Sequence, residues 1–243
     1  MGRTLDTYLI VNADDFGASV GINRGIVECH TRGVVTSTSM MVTGRAVAEA
    51  AAMSRDLPDL AVGLHFDVCG EDEREFDTTG VAAVHEEFRR QLDAFDRLLG
   101  RPPTHVDSHR HVHCEEHLMP LFCEWVAPLG IPLRHDGRVN YVGGFYGQWE
   151  WQTTNLEYVG VRFLQQLLRE EVPEGWTEIS CHPGYRSPDF RSVYLDEREA
   201  EVRTLTDPAV RETLAELGIR LASYAGYKMA EAPPRSRGAS RHA

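Results

Sequence analysis

Strand-like and helix-like stretches alternate about seven times along this chain, and that alternation limits the fold more than any other property. A strand, a helix and another strand in succession favour parallel strands joined by right-handed crossovers. Residues 8–13 are a short apolar run, the pattern of a strand buried on both faces. Residues 19–31 place Val20, Ile22, Ile26 and Val27 near helical spacing, and Gly33 stands where a C-cap is expected. Residues 34–42, rich in Val, Thr and Ser, read as a strand, 45–55 as a helix and 60–68 as a strand. In 84–99, Phe88, Leu92, Phe95 and Leu99 share one face opposite charged residues, and Gly100, Pro102 and Pro103 stop the helix.

The pattern continues with a strand at 104–108, a helix at 115–129 and a strand stub at 131–134. Further on come a helix at 156–170, a strand at 177–181, helices at 197–205 and 208–217, and a last strand at 219–223. Residues 138–154 are aromatic and Gly-rich without a period, so a loop is expected there. The repeated unit predicts an α/β fold, a distorted TIM-like barrel of about seven strands. No linker interrupts 1–230, expected to be a single domain, whereas 231–243 lacks apolar periodicity and reads as a disordered tail.

Lys and Arg total 25 against 37 Asp and Glu, a net charge of −12. That balance argues against nucleic acid and anionic membrane surfaces as partners and leaves neutral, sugar-like substrates open. The five cysteines, Cys29, Cys69, Cys114, Cys123 and Cys181, form no C-x-x-C pair and read as free thiols of a reducing compartment. No apolar run is long enough for a membrane span and residues 1–6 are too polar for a signal peptide, so the cytoplasm is the expected location.

Strand ends are where α/β folds keep their chemistry, and several here carry acids or imidazoles. A strand that stops at Asp14 and Asp15 can turn both carboxylates toward one cavity, one to bind a cation and one to take a proton from water. The same pair would serve equally well at the start of a helix, where Asp satisfies free backbone N–H groups. Gly17, just beyond, could supply a left-handed turn. His65 lies among apolar strand residues, a setting that more often holds a core histidine than a ligand; Asp67, two residues on, is placed to orient its ring. His105, Asp107, His109, His111 and His113 alternate along an expected extended stretch and so share one side of it. Such a face has no packing rationale, although no more than two of its imidazoles can bind one ion directly. Carboxylate and imidazole together are the ligand set of an open catalytic metal site, so a hydrolytic metalloenzyme is the first expectation. His182 follows a buried-looking strand, with Pro183 holding it extended, and could protonate a leaving group. Arg134 could pin a carboxylate, although a surface salt bridge is its more ordinary role. Tyr141, Phe145, Tyr146, Trp149 and Trp151 crowd the Gly-rich loop, either to stack on sugar rings or to cap the barrel.

Five segments, 9–17, 33–39, 62–65, 104–113 and 181–185, together resemble in order the motifs of the YdjC-like carbohydrate deacetylases, the family of chitooligosaccharide and hopanoid-associated deacetylases. The most specific are Asn12-Ala13-Asp14-Asp15-Phe16-Gly17 and His105-Val106-Asp107-Ser108-His109-Arg110-His111-Val112-His113. The resemblance implies a distorted TIM-like barrel and a metal-dependent hydrolase. Its substrate would be an N-acetylated amino sugar or conjugate, and its products acetate and a free amine. Carried onto matching positions, it implies Asp15, His65 and His109 as ligands of one divalent metal, Asp14 as general base and His182 as general acid. Two imidazoles and a carboxylate suit Zn²⁺ by softness, while the family implies Mg²⁺. The resemblance also admits a homodimer. Two departures bear on the substrate rather than the chemistry: Cys114-Glu115-Glu116 replaces an apolar-Pro pattern, and the segment between His65 and Val84 is short. Other readings are a different metal-dependent barrel enzyme, such as a phosphoesterase or sugar isomerase, and a non-catalytic sugar-binding protein. The roles of His105, His111, His113 and Arg134 stay open.

Overall fold

The computed structural model describes residues 6–70, 76–150 and 152–227. Strand β1 (Thr7–Phe16) is buried along nearly all its length, and its side chains divide by the two-residue period of a strand. Leu9, Val11 and Ala13 join the main apolar core, whereas Ile10 belongs to a separate cluster with Ala61, Val139, Tyr224 and Tyr227. The chain then runs α1 (Val20–Thr31), β2 (Ser37–Met40), α2 (Val47–Arg55), β3 (Ala61–Phe66), α3 (Val81–Leu99), β4 (Val106–Ser108) and α4 (Met119–Val126). It continues β5 (Asn140–Val142), α5 (Val161–Glu170), β6 (Gly175–Cys181), α6 (Leu195–Leu205), α7 (Pro208–Glu216) and β7 (Arg220–Leu221).

All described strand ladders are parallel, in the order β4-β3-β2-β1-β6-β5, and β7 pairs with the start of β1. Beyond β4 the sheet adds a single bridge, Val106 to Leu133, and no ladder joins β4 to β5 among the described residues. The result is the expected α/β architecture: a curled parallel sheet, a TIM-like barrel distorted by an open side. The Ile10 cluster fills the curl near the starts of the strands. Polar residues therefore occupy the other end, where barrel enzymes place their chemistry.

Several local readings change. The expected loop at 138–154 contains β5, whose three residues pair with Thr177, Glu178 and Ile179 of β6. A strand so short is held by its neighbour's ladder rather than by a pattern of its own. The C-cap of α1 is Arg32 rather than Gly33, while Ser19 caps its start by accepting the Ile22 N–H at 3.1 Å. The expected helices at 115–129 and 156–170 each resolve into an α-helix with a short 3₁₀ turn. The tail at 231–243 and Trp151 lie outside the described residues. Among the described residues no helix is long and apolar enough to cross a membrane.

Gly63 shows how tightly the curl is packed. A Cβ on this β3 residue would sit 2.4 Å from the His105 ring, which itself stacks on Tyr224 at 3.9 Å between centroids. Gly63→Ala is expected to destabilise the fold by about 1–3 kcal/mol in urea denaturation, the usual cost of overpacking. An unchanged midpoint would show that the His105 ring yields without cost.

Candidate metal centre and active site

β1 does not stop at the acidic pair. It continues to Phe16 through a register shift against β2 between Ala13 and Phe16, and Asp15 adopts a left-handed backbone with φ 70°. Asp tolerates this region better than most residues, at a cost of about 1–2 kcal/mol. The shift places Asp14 and Asp15 in one cavity, 3% and 1% exposed. Gly17, with φ 98°, supplies the second left-handed turn before α1, whose cap is Ser19, so neither acid caps that helix.

Asp15 faces two imidazoles. His65 Nε2 and His109 Nδ1 each lie 3.3 Å from Asp15 Oδ1, a buried oxygen that accepts no hydrogen bond. Its other oxygen accepts from Arg198 at 2.6 Å. Burial opposes the charge on Asp15, but Arg198 and the two imidazoles hold its carboxyl well below the usual range. His65 Nδ1 lies 2.7 Å from Asp107 Oδ1. Burial pushes His65 toward neutrality, yet Asp107 and the neighbouring acids hold its pKa well above the ordinary value. Asp67, the expected orienting residue, instead accepts from Thr43 at 3.0 Å and from the backbone of Cys69 and Gly70, because the chain turns away after Phe66.

The donor atoms of Asp15, His65 and His109 lie within 4.8 Å of one another. A divalent cation roughly 2.0–2.2 Å from such nitrogen and oxygen donors would fill the gap between them. An unbonded buried carboxylate oxygen flanked by two imidazole nitrogens is the donor chemistry such an ion requires. These residues fit a divalent metal. The nearby group of Asp14, His65 and Asp107 is already bridged by the His65–Asp107 contact and by Arg134.

Asp14 has different neighbours. Arg134 donates to both its oxygens at 2.8 Å, and Asn12 donates to Oδ1 at 2.8 Å. The same guanidinium pairs with Asp107 at 2.8 Å and donates to Glu178 at 2.6 and 3.0 Å. The surface salt bridge expected for Arg134 is therefore overturned: the residue is 2% exposed and joins carboxylates from three strands. Burial works against ionised Asp14, but Arg134 lowers its pKa overall. His182 Nε2 lies 3.9 Å from Asp14 Oδ2, and burial holds the ring's pKa down to about 4. Glu201 accepts the His182 backbone N–H, while Arg198 donates to the His182 carbonyl at 3.2 Å. Arg198 and Glu201 are functional neighbours that the sequence reading missed. The sequence predicts their helix, α6, without assigning it a site residue, and Glu197, Arg198 and Glu201 are all buried.

The extended face proposed for 105–113 does not form. β4 is only three residues long, and the chain then enters a 3₁₀ turn (His109–Cys114) in which Arg110 and His111 both have φ 52°. His105 stays inside the curl, and His109 turns to Asp15. His113 is fixed by Ser108 at 2.5 Å and the Arg134 carbonyl at 3.1 Å, a structural role. The loop aromatics differ in their surroundings. Phe145 is buried in the core, Tyr141 bonds Ser180 at 2.7 Å, Tyr146 edges toward His182, and Trp149 is 59% exposed.

Comparison with known proteins gives this geometry a context. Residues 8–216 match the family described as YdjC-like protein. The chain is 34% identical over 258 aligned positions to a chitooligosaccharide deacetylase of Serratia marcescens, covering 90% of this chain and 99% of that protein. It is 36% identical to a chitooligosaccharide deacetylase of Enterobacter sp. (strain 638), again covering 90% and 99%. Among solved structures, a proposed cellobiose-phosphate cleavage protein of Enterococcus faecalis V583 superposes with a TM-score of 0.76 at 28% identity, covering 90% of this chain and 98% of that one.

Arg134 provides the test of this polar interior. Arg134→Met leaves three carboxylates without their cation and is expected to cost about 3–5 kcal/mol at neutral pH, read by chemical denaturation. Asp14 and Asp107 have depressed pKa values in the native state. Their contribution is therefore full above the unfolded carboxylate pKa of about 3.9 and is lost as pH falls below it. The gap between wild type and variant should narrow on acidification; a gap that is constant with pH would contradict the assignment.

Proposed function

Since the chain belongs to the YdjC-like protein family, we propose that it is a carbohydrate N-deacetylase, a hydrolase that cleaves the acetamide of an N-acetylated amino sugar to acetate and a free amine. The observation that carries this reading is the division of partners between two adjacent acids. Asp14 is held by a guanidinium and Asp15 faces two imidazoles. Asp15, His65 and His109 would hold a divalent cation, which when bound acidifies a water and polarises the acetamide carbonyl.

The remaining steps fall to this chain's own side chains. Asp14 takes the proton from the attacking water as a C–O bond forms at the acetamide carbon. Arg134 fixes the plane of that carboxylate and keeps it ionised, as a bidentate pair does. The C–N bond then breaks, and His182 gives a proton to the departing amine nitrogen. With a pKa of about 4 its ring is neutral at rest, so it gains during turnover the proton that Asp14 took from water, passed across the 3.9 Å between them by a bridging water. Two imidazoles and a carboxylate favour Zn²⁺ by softness, with Mg²⁺ the alternative. Tyr146 and the exposed Trp149 are 5.9 Å apart on the same loop and supply faces for a sugar ring. The relatives' names point to chitooligosaccharides as the substrate class. A phosphate ester is less well served, because Arg134 and Arg198 already bind carboxylates.

Purified protein given N-acetylglucosamine oligomers should release acetate, stop after chelation and recover when Zn²⁺ is returned. Asp14→Asn should keep its metal content and lose about 10²- to 10⁴-fold in kcat. Full hydrolysis by that variant would remove Asp14 as the base, and hydrolysis indifferent to chelation would remove the metal.

A further inference from the structure

A second group of soft donors lies beside the candidate active site but shares none of its ligands. His111, Cys114 and His135 each offer one donor atom, and these atoms lie within 4.8 Å of one another. They come from two loops, the turn after β4 and the residue that follows Arg134. The rings of His111 and His135 are 5.5 Å apart, and both residues adopt a left-handed backbone, with φ 52° and 66°. His111 Nδ1 is buried and bonds to nothing. The neighbouring His113 is different, since Ser108 and the Arg134 carbonyl already satisfy both its nitrogens. Capacity for a ligand thus belongs to His111 rather than to His113.

The donor types select the ion. Two imidazoles and a thiol with no carboxylate suit Zn²⁺, which takes sulfur at about 2.3 Å and nitrogen at roughly 2.0–2.1 Å. Mg²⁺ and Ca²⁺ require oxygen donors and have none in this group. We propose that His111, Cys114 and His135 form a second, thiolate-containing zinc site, separate from Asp15, His65 and His109. The site clamps the turn that carries His109 to the residue next to Arg134, with a fourth position left for water. It stands independently of the deacetylase reading.

The test uses the full chain, stripped with a chelator and reloaded with Zn²⁺ or Co²⁺. Bound zinc is counted by elemental analysis, and cobalt is followed by its thiolate charge-transfer band. Cys114→Ser should bind one zinc fewer than wild type and lack the band. His135→Asn, which keeps a residue tolerant of the left-handed backbone, should also bind one zinc fewer. Cys69→Ser should keep the band, because Cys69 belongs to a different group with Asp67 and His109. Asp15→Asn should keep it too, whatever the substrate proves to be, which separates this site from the catalytic proposal. Near-ultraviolet circular dichroism checks folding; if Cys114→Ser does not fold, the exposed His135 variant and the wild-type band decide. A band that survives in Cys114→Ser, zinc content equal to wild type in either variant, or no band in wild type overturns the proposal.

Discussion

The inside of this barrel is organised by one buried guanidinium. Arg134 touches Asp14 at the end of β1, Asp107 on β4 and Glu178 on β6, all out of solvent. Taking these charges out of water is costly, and a well-packed apolar interior of equal volume would be about as stable. The arrangement makes sense as a constraint on chemistry rather than as a source of stability. Arg is suited to it because its planar fork meets several carboxylates at once, whereas a lysine ammonium would meet them as a point charge. Arg134 thereby ties β4 at one end of the sheet order to β1 and β6.

With Asp14 committed to Arg134, its neighbour is left to different company. The separation is made by one left-handed residue, Asp15, at the register shift in β1. Side chains that would alternate to opposite faces of a regular strand instead share a cavity with different partners. The same cavity raises the pKa of His65. Its ring sits between Asp107 and Asp15, whose charges favour a proton on it, and Nε2 faces Asp15 where a cation would draw a ligand. Proton and cation compete there, and metal affinity must weaken as pH falls.

Much of this was legible in the sequence because strand ends, unlike loops, are placed by their own apolar runs. The runs before Asp14, His65, Asp107 and His182 mark strands whose ends meet in a parallel barrel, whereas the grouping of Asp14, Asp15, His65, His109 and His182 into one site came from the family resemblance. Arg134 was not legible in the same way. Its isolated context, Ile131-Pro132-Leu133-Arg134, looks like a surface stub, and its partners lie 120, 27 and 44 residues away. Arg198 and Glu201 stand in a charge-rich helix, 195–205, whose buried face no apolar pattern marks. The alternating histidines misled for the opposite reason: the period was present, but the strand that would give it meaning ends at Ser108.

The proposed chemistry requires a cation gripped jointly by Asp15, His65 and His109. Anomalous diffraction from crystals of the active, zinc-loaded protein tests this most directly. The expected peak lies within bonding distance of Asp15 Oδ1, His65 Nε2 and His109 Nδ1, with the Arg134–Asp14 pair intact beside it. Active, zinc-loaded crystals with no peak within bonding distance of those three atoms, whatever other peaks they hold, would contradict it.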